Sequence, residues 1–342
     1  MESGEWRVES GEWRVERGTW NLERGNWNVV IRPLTPADSE AARSIWNDGV
    51  PRAALSDVLF DEKVWEDPDI ADGMRVAAIN SSGRLTGFGI GVPRGTTPQC
   101  GAIKLLAVDA RDRHAGVGSA IMASLVESLR LGGCNRIRLG ESPPNYLQAG
   151  VDSDDEGARR FFESLGFVSF GKAHDMLCTV KPLDLDTTGA ERRLAAHGIR
   201  IRRAGERSGT SELAAIDGQG DTRALSAIGE LWSAWLPEVN AALALSPPAV
   251  HLAETFDGVF AGFAAHSANN RSVGWFGPMG TDPRYRGLSI GTILLRRCLR
   301  DLREAGFETA TIPWVGPVEF YERSVGARTR RSYLRYELII TE

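Results

Sequence analysis

The chain has 342 residues, 42% hydrophobic and 25% charged, the ordinary balance of a folded globular protein and enough for two domains with their own cores. Its net charge of −5 excludes an electrostatic case for nucleic acid or an anionic membrane as partner. Cys100, Cys134, Cys178 and Cys298 form no C-x-x-C pair, and no apolar run approaches the ~20 residues of a membrane span, so the expectation is a cytoplasmic protein with reduced thiols, no metal and no membrane partner.

Residues 1–28 hold seven-residue units, Glu2 to Val8, Glu9 to Val15, Glu16 to Leu22 and, running on to Val29, Glu23 onward. Trp6, Trp13, Trp20 and Trp27 recur in them. Each unit carries a Gly that costs ~1 kcal/mol against Ala in a helix, and an odd period flips faces in a strand, so neither regular structure is favoured. The segment is read as a low-complexity repeat, disordered, and without the apolar core of a signal peptide.

Order is expected from the strand Val29 to Pro33, followed by Thr35-Pro36 as the start of a helix through Ala41, Ile45 and Trp46. Strands Arg75 to Ile79 and Leu85 to Val92 flank a turn at Asn80 to Gly83, and a third runs from Ala102 to Val108. A helix from about Val117 to Leu131, stopped by Gly132-Gly133, precedes a strand Arg136 to Leu139. A polar insert from Glu141 to Asp154 leads to a helical segment Ala158 to Leu165 and a closing strand Asp175 to Val180. Residues 181–198 read as a linker with a short helix. The second half restarts at Ile199 and is irregular as far as Leu252. Strands Ala253 to Phe256, Val259 to His266 and Val273 to Thr281 follow, then a helix to about Ala305, a strand Glu308 to Pro313, a segment Val318 to Ser324 and a last strand Ser332 to Ile340.

The two halves share a sentence. Leu106 to Met122 returns as Met279 to Leu295, each a short apolar run, a charged turn, Arg-x-x-[Gly/Ser]-x-Gly and an apolar-periodic helix. Glycines let a ligand approach main-chain N–H groups, and the first turn of a helix offers unpaired donors at a positive dipole end, so a pyrophosphate-bearing cofactor is implied. The dinucleotide fingerprint fails because Ile121 stands where its third glycine belongs, and the Gly-Lys-[Ser/Thr] of a nucleotide-triphosphate loop is absent.

These residues resemble the GCN5-related N-acetyltransferase (GNAT) superfamily. The first half supplies Arg113-His-Ala-Gly116-Val-Gly118 and Phe161-Phe162-Glu163-Ser-Leu-Gly166-Phe167; the second supplies Arg286-Gly-Leu-Ser289-Ile-Gly291 and Phe320-Tyr321-Glu322-Arg-Ser-Val-Gly326-Ala327. The resemblance covers residues 29–342 apart from about 202–250. It implies an α/β fold with a mixed sheet in two tandem domains, 29–180 and 199–342, and acetyl-CoA as cofactor. It also implies that the coenzyme's pantetheine pairs with the strand edge at Leu106, Ala107 and Val108 or at Met279, Gly280 and Thr281. The pyrophosphate would then lie on Arg113, His114, Ala115, Gly116, Val117, Gly118 and Ser119, or on Arg286, Gly287, Leu288, Ser289, Ile290, Gly291 and Thr292. Ser289 replaces the usual glycine and is expected to take up a helical start, its hydroxyl free to donate to phosphate.

An N-acetyltransferase must deprotonate a small-molecule or peptide amine, hold an oxyanion and protonate a departing thiolate. In the resembled family the Tyr of Phe-Tyr-Glu supplies that last proton, and Tyr321 matches it while Phe162 cannot. A Tyr of reference pKa ~10 does so against a thiol of ~8.5 only if its own value is drawn closer. Glu254 and Asp257 read as polar residues of a strand and a turn rather than as the base. Asp155 and Trp314 stand where the family often has Asn. Arg323, Arg328, Arg330, Arg331 and Arg335 form a basic stretch, read mainly as a solvated face. The alternative is a non-catalytic acyl-CoA-binding protein acting as sensor or scaffold.

Overall fold

The computed structural model describes residues 14–16, 19–21, 29–94, 99–206 and 218–340. Two short strands of the N-terminal repeat, β1 (Arg14–Glu16) and β2 (Thr19–Asn21), pair antiparallel with Val15 opposite Trp20. The sequence favoured no regular structure there, and the two strands are only three residues each. The rest of the repeat lies outside the described residues.

The chain divides into two compact units, Met1–Ala173 with Ser332–Glu342, and His174–Arg331. In the first, β3 (Val29–Pro33) leads through α1 (Ser39–Gly49) and α2 (Asp57–Val64) to β4 (Arg75–Asn80), β5 (Leu85–Val92) and β6 (Cys100–Val108). These four strands form an antiparallel meander. β6 continues through α3 (Val117–Leu131) to β7 (Arg136–Leu139), which pairs with it in parallel. Helix α2 was not expected; Ser56 caps it by accepting from Leu59 N–H at 3.2 Å, and Phe60 packs edge-on against Phe88 of β5. That contact puts α2 on one face of the sheet. α3 takes the other, with Ile121 and Leu125 over Gly87 and Gly89.

β8 (Val151–Asp152), α4 (Glu156–Ser164) and β9 (Val168–Thr179) follow, and then α5 (Thr188–Ala195) and β10 (Ile199–Arg203). In the second unit α6 (Gly218–Trp232) and α7 (Leu236–Leu243) fill the stretch read as irregular. β11 (Val250–Thr255), β12 (Phe260–His266) and β13 (Phe276–Thr281) join β10 in an antiparallel sheet. α8 (Ile290–Glu304) buries Ile290, Ile293, Leu294, Cys298 and Leu302, the three-and-four spacing of a one-sided helix. It covers one face of that sheet, and α6 and α7 cover the other with Ile228 and Val239 beside Phe263. β14 (Thr309–Ile312), α9 (Val318–Val325) and β15 (Arg328–Ile339) complete the chain.

A contiguous division gives Asp175 to Val180 to the first half and Ser332 to Ile340 to the second. The compact units take them the other way round. Met176 to Thr179 of β9 pair with β14 in the second unit, and Glu337 to Ile339 of β15 pair with β7 in the first. Tyr336, Leu338 and Ile340 accordingly lie in the core that holds Trp46, Phe60 and Leu125.

Candidate active site

β6 and β13 end in the same turn. Asp109 N–H donates to Thr86 O at 2.9 Å, and Asp282 N–H donates to Ala261 O at 3.0 Å. Each aspartate then accepts from a main-chain N–H two residues on, Arg111 at 3.0 Å and Arg284 at 2.9 Å. Arg113 (φ −66, ψ 155) and Arg286 (φ −65, ψ 158) are extended. Left-handed residues follow at His114 and Gly116, and at Gly287 and Ser289, immediately before α3 and α8. Ser289 is thus the left-handed cap (φ 64, ψ 13), not the helical start expected of it, because the turn into α8 needs the conformation Gly116 supplies before α3.

The first intrahelical bonds run from Ala120 N–H to Gly116 O at 3.0 Å and from Ile293 N–H to Ser289 O at 3.1 Å. The N–H groups of Val117, Gly118 and Ser119, and of Ile290, Gly291 and Thr292, therefore project from the helix ends with no helical partner. A concave run of main-chain donors at a helix N-terminus suits a diphosphate, and both loops pass that test. The helix start is set down by an aromatic ring in each unit. A Cβ at Gly118 would meet Phe161 Cζ at 3.1 Å, and one at Gly291 would stand 3.5 Å from Phe320 Cζ.

The strand before each loop is open on one side. β6 pairs with β7 only from Cys100 to Ile103, and the last link is Gly140 N–H to Ile103 O at 2.9 Å. In the second unit a single parallel bridge, Trp275 to Thr311, stands in the corresponding place. Since Asp109 and Asp282 point their N–H groups to β5 and β12, the two-residue period turns the main-chain groups of Leu106, Val108, Met279 and Thr281 to the open edge. Ala107 and Gly280, paired with Phe88 and Phe263, turn theirs inward.

Tyr321 lies on α9 next to Phe320, 8% exposed, with its ring edge-on to Phe276 and Phe320. Phe162 holds the matching place on α4, edge-on to Phe161 and Phe167. Burial pushes the Tyr321 hydroxyl up to about 12, away from the thiol range that a proton donor was expected to approach.

Other expected candidates go elsewhere. Asp155 caps α4, accepting from Ala158 N–H at 2.9 Å. Trp314, in the left-handed region at φ 48, donates its main-chain N–H to Asp175 Oδ1 at 3.1 Å. Glu254 is buried against Arg200 and Arg202, at 2.9 and 3.2 Å. Arg331 pairs with Asp175 and is buried, and Arg335, half-buried, pairs with Glu141, so neither belongs to a freely solvated face. The sequence reading missed Trp232 and Trp235, a stacked pair at the end of α6 that abuts Gly280 and Phe263. The signal was there in Ala224, Ile228 and Trp232 at four-residue spacing.

The Acetyltransferase (GNAT) family model matches residues 40–167 and 222–327. No curated protein matches the chain. Among solved structures, the GCN5-related glucosamine N-acetyltransferase region of a fungal multi-domain GH3 β-N-acetylglucosaminidase is similar at 19% identity and TM-score 0.75, over 93% of this chain and 39% of that protein's length. A GCN5-related N-acetyltransferase from Sphaerobacter thermophilus is similar at 16% identity and TM-score 0.66, covering 92% of this chain and 96% of its own. A tandem GNAT protein from the clavulanic acid biosynthesis pathway, without AcCoA, has 15% identity and TM-score 0.58, covering 92% and 99%. These three share the fold. With the family model matched twice over most of the chain, the protein belongs to the GNAT acetyltransferase family and carries its fold in tandem.

Proposed function

We propose that the protein is a cytoplasmic N-acetyltransferase that moves an acetyl group from acetyl-CoA to an amine of a small molecule or peptide, with chemistry in the second unit. The observation that carries this is the coincidence in one unit of the open edge at Met279 and Thr281, the donor turn Arg286–Thr292 and Tyr321 beside Phe320. Bound acetyl-CoA supplies an activated thioester.

Met279 and Thr281 offer main-chain groups to the pantetheine amides, and Ile290, Gly291 and Thr292 offer N–H groups to the diphosphate. Leu106, Val108 and the Arg113–Ser119 turn offer the same set in the first unit. With its pKa raised by burial, Tyr321 keeps its proton at neutral pH, so its hydroxyl is available as a donor. In this reading the Tyr321 hydroxyl would supply the proton that the leaving thiolate takes up and would be reprotonated by the proton the attacking amine sheds.

Calorimetry with acetyl-CoA and a thiol-release assay over a panel of amines test this together. Tyr321→Phe is expected to lower kcat by ~10² or more with KM for acetyl-CoA little changed. Binding without release for any amine favours the second reading, a non-catalytic acyl-CoA sensor or scaffold, for which Phe162 and the upward shift of Tyr321 speak.

A further inference from the structure

The connection from β7 to α4 spans residues 140–155, whereas its counterpart from β14 to α9 spans only 313–317. The longer one is not a surface loop. Glu141, Ser142 and Ala149 are fully buried, and Tyr146 and Leu147 nearly so. Irregular chain survives burial only where its polar groups are met, and here dedicated side chains meet them. Arg94 donates to Pro143 O at 2.7 Å and Ser142 O at 3.3 Å. Asn145 donates to Glu62 O at 2.8 Å and accepts from Lys63 Nζ at 2.5 Å. Glu141 takes Arg335 in a two-bond grip at 2.5 and 2.9 Å.

This clamp sits where β6 parts from β7. Arg94 rests on Asp67 at 2.7 Å, and Asp67 on Lys104 Nζ at 2.5 Å. Lys104 is the extra residue of a bulge on β6, next to Ile103, whose pairing with Leu139 is the last before the strands separate. α3 covers the far face of that split, so an amine could reach it only from the α2 side, where residues 141–149 lie. The second unit has no such segment between β14 and α9.

We propose that residues 141–149 plug the acceptor side of the first unit, so that this unit holds coenzyme without passing its acyl group on and the second unit alone turns over, a conclusion that rests on reading both loops as coenzyme sites. The lysines report on the plug. They occur only at 63, 104, 172 and 181. Lys63 and Lys104 are buried under the clamp, while Lys172 and Lys181 are exposed. Burial pushes the Lys104 ammonium down to about 7 while its pairing with Asp67 opposes that, so the labelling of Lys104 is read by comparing the intact chain with the chain in which the segment is shortened.

The test is acetylation of the full chain with an N-hydroxysuccinimide acetate, mapped by peptide mass. Lys172 and Lys181 are expected to react, and Lys63 and Lys104 to lag by roughly tenfold or more. Asn145→Ala, and separately a short Gly-Ser link in place of 143–148, are expected to speed labelling of Lys63 and Lys104 and leave thiol release by the second unit unchanged. With the second loop blocked by Gly291→Trp, acetyl-CoA is expected still to bind but no thiol to be released. Equal labelling of all four lysines in the intact chain, continued protection after the segment is shortened, or thiol release by the Gly291→Trp chain each overturns the plug. Absence of any heat with acetyl-CoA overturns the coenzyme reading instead, and the two failures are separable because the labelling needs no ligand.

Discussion

Gly280 lies directly beneath Trp232: a Cβ added to Gly280 would stand 2.7 Å from the indole Cη2 and Cζ3. The indole is held in place by Trp235, stacked at 5.5 Å, and by Phe263, so it has little room to retreat. Gly280→Ala should therefore cost about 1–3 kcal/mol through overpacking. It should also disturb Met279 and Thr281 on either side, raising KM for acetyl-CoA. Urea unfolding followed by tryptophan emission reads the first effect. An unchanged midpoint with unchanged emission would mean that the indole is free to move.

Ser289 occupies at φ 64 the conformation that Gly116 occupies at φ 80. A side chain in the left-handed region costs about 1 kcal/mol or more relative to glycine, offset in part by the greater freedom glycine has when unfolded. Ser289→Gly is expected to stabilise the second unit by about 0.5 kcal/mol and to leave the denaturant slope as it was. Gly116→Ser should destabilise the first. A midpoint that falls in the Ser289→Gly chain would show that the hydroxyl does something the backbone argument leaves out.

The loops were legible because backbone need and residue type coincide: Gly116 and Gly287 stand where left-handed turns are wanted, and Asp109 and Asp282 where a turn must be capped. Tyr321 was legible by type, but its burial, and hence the direction of its pKa, depends on Phe276 from a distant strand. Helix α6 was obscured by Gly218, Gly220 and Gly229, which dilute its helical preference although Ala224, Ile228 and Trp232 keep the period. The cluster of Lys63, Asp67, Arg94 and Lys104 has no local sequence signal, since nothing near any of them shows that they will be paired in a core. The strand exchange was invisible for a related reason. Alternation in Ser332 to Ile340 reveals a strand with a buried face, and says nothing about which sheet buries it.

Stability of the second unit should fall on the acid side of neutrality. His251 and His266 both approach Asp301 Oδ2, at 2.7 and 3.2 Å, while Arg203 holds Oδ1 at 2.8 Å. Both rings thus donate from Nε2, which leaves His251 Nδ1 bare in a buried place with no partner. Burial, aided by Arg203 and Arg297 and opposed by Asp301, holds the His251 pKa below its ordinary value. Its folded value being the lower one, the unfolded chain takes up the proton first. The stabilisation is complete above about pH 6.5 and is lost as pH drops through the folded value. Unfolding midpoints at pH 7 and 5 should separate in the natural chain and converge in His251→Gln, which can still donate to Asp301. Equal pH slopes in the two chains would remove His251 as the cause.

Ending the chain at Arg331 should unfold the first unit, the one more distant in sequence. Tyr336, Leu338 and Ile340 belong to its core, Glu337 to Ile339 pair with β7, and Tyr336 donates to Glu163 at 2.6 Å. Deleting a buried side chain of this size costs about 2–5 kcal/mol, so three together rival the about 5–15 kcal/mol that holds a typical domain. The second unit keeps all of its residues, His174 to Arg331. Hydrogen exchange on the truncated chain should therefore be fast across β4 to β6 and slow across β12 and α8. A peptide of residues 332–342 added in trans should restore protection to β6 and β7. Fast exchange in α8 with β6 still protected would return the closing strand to the second unit and reverse the assignment.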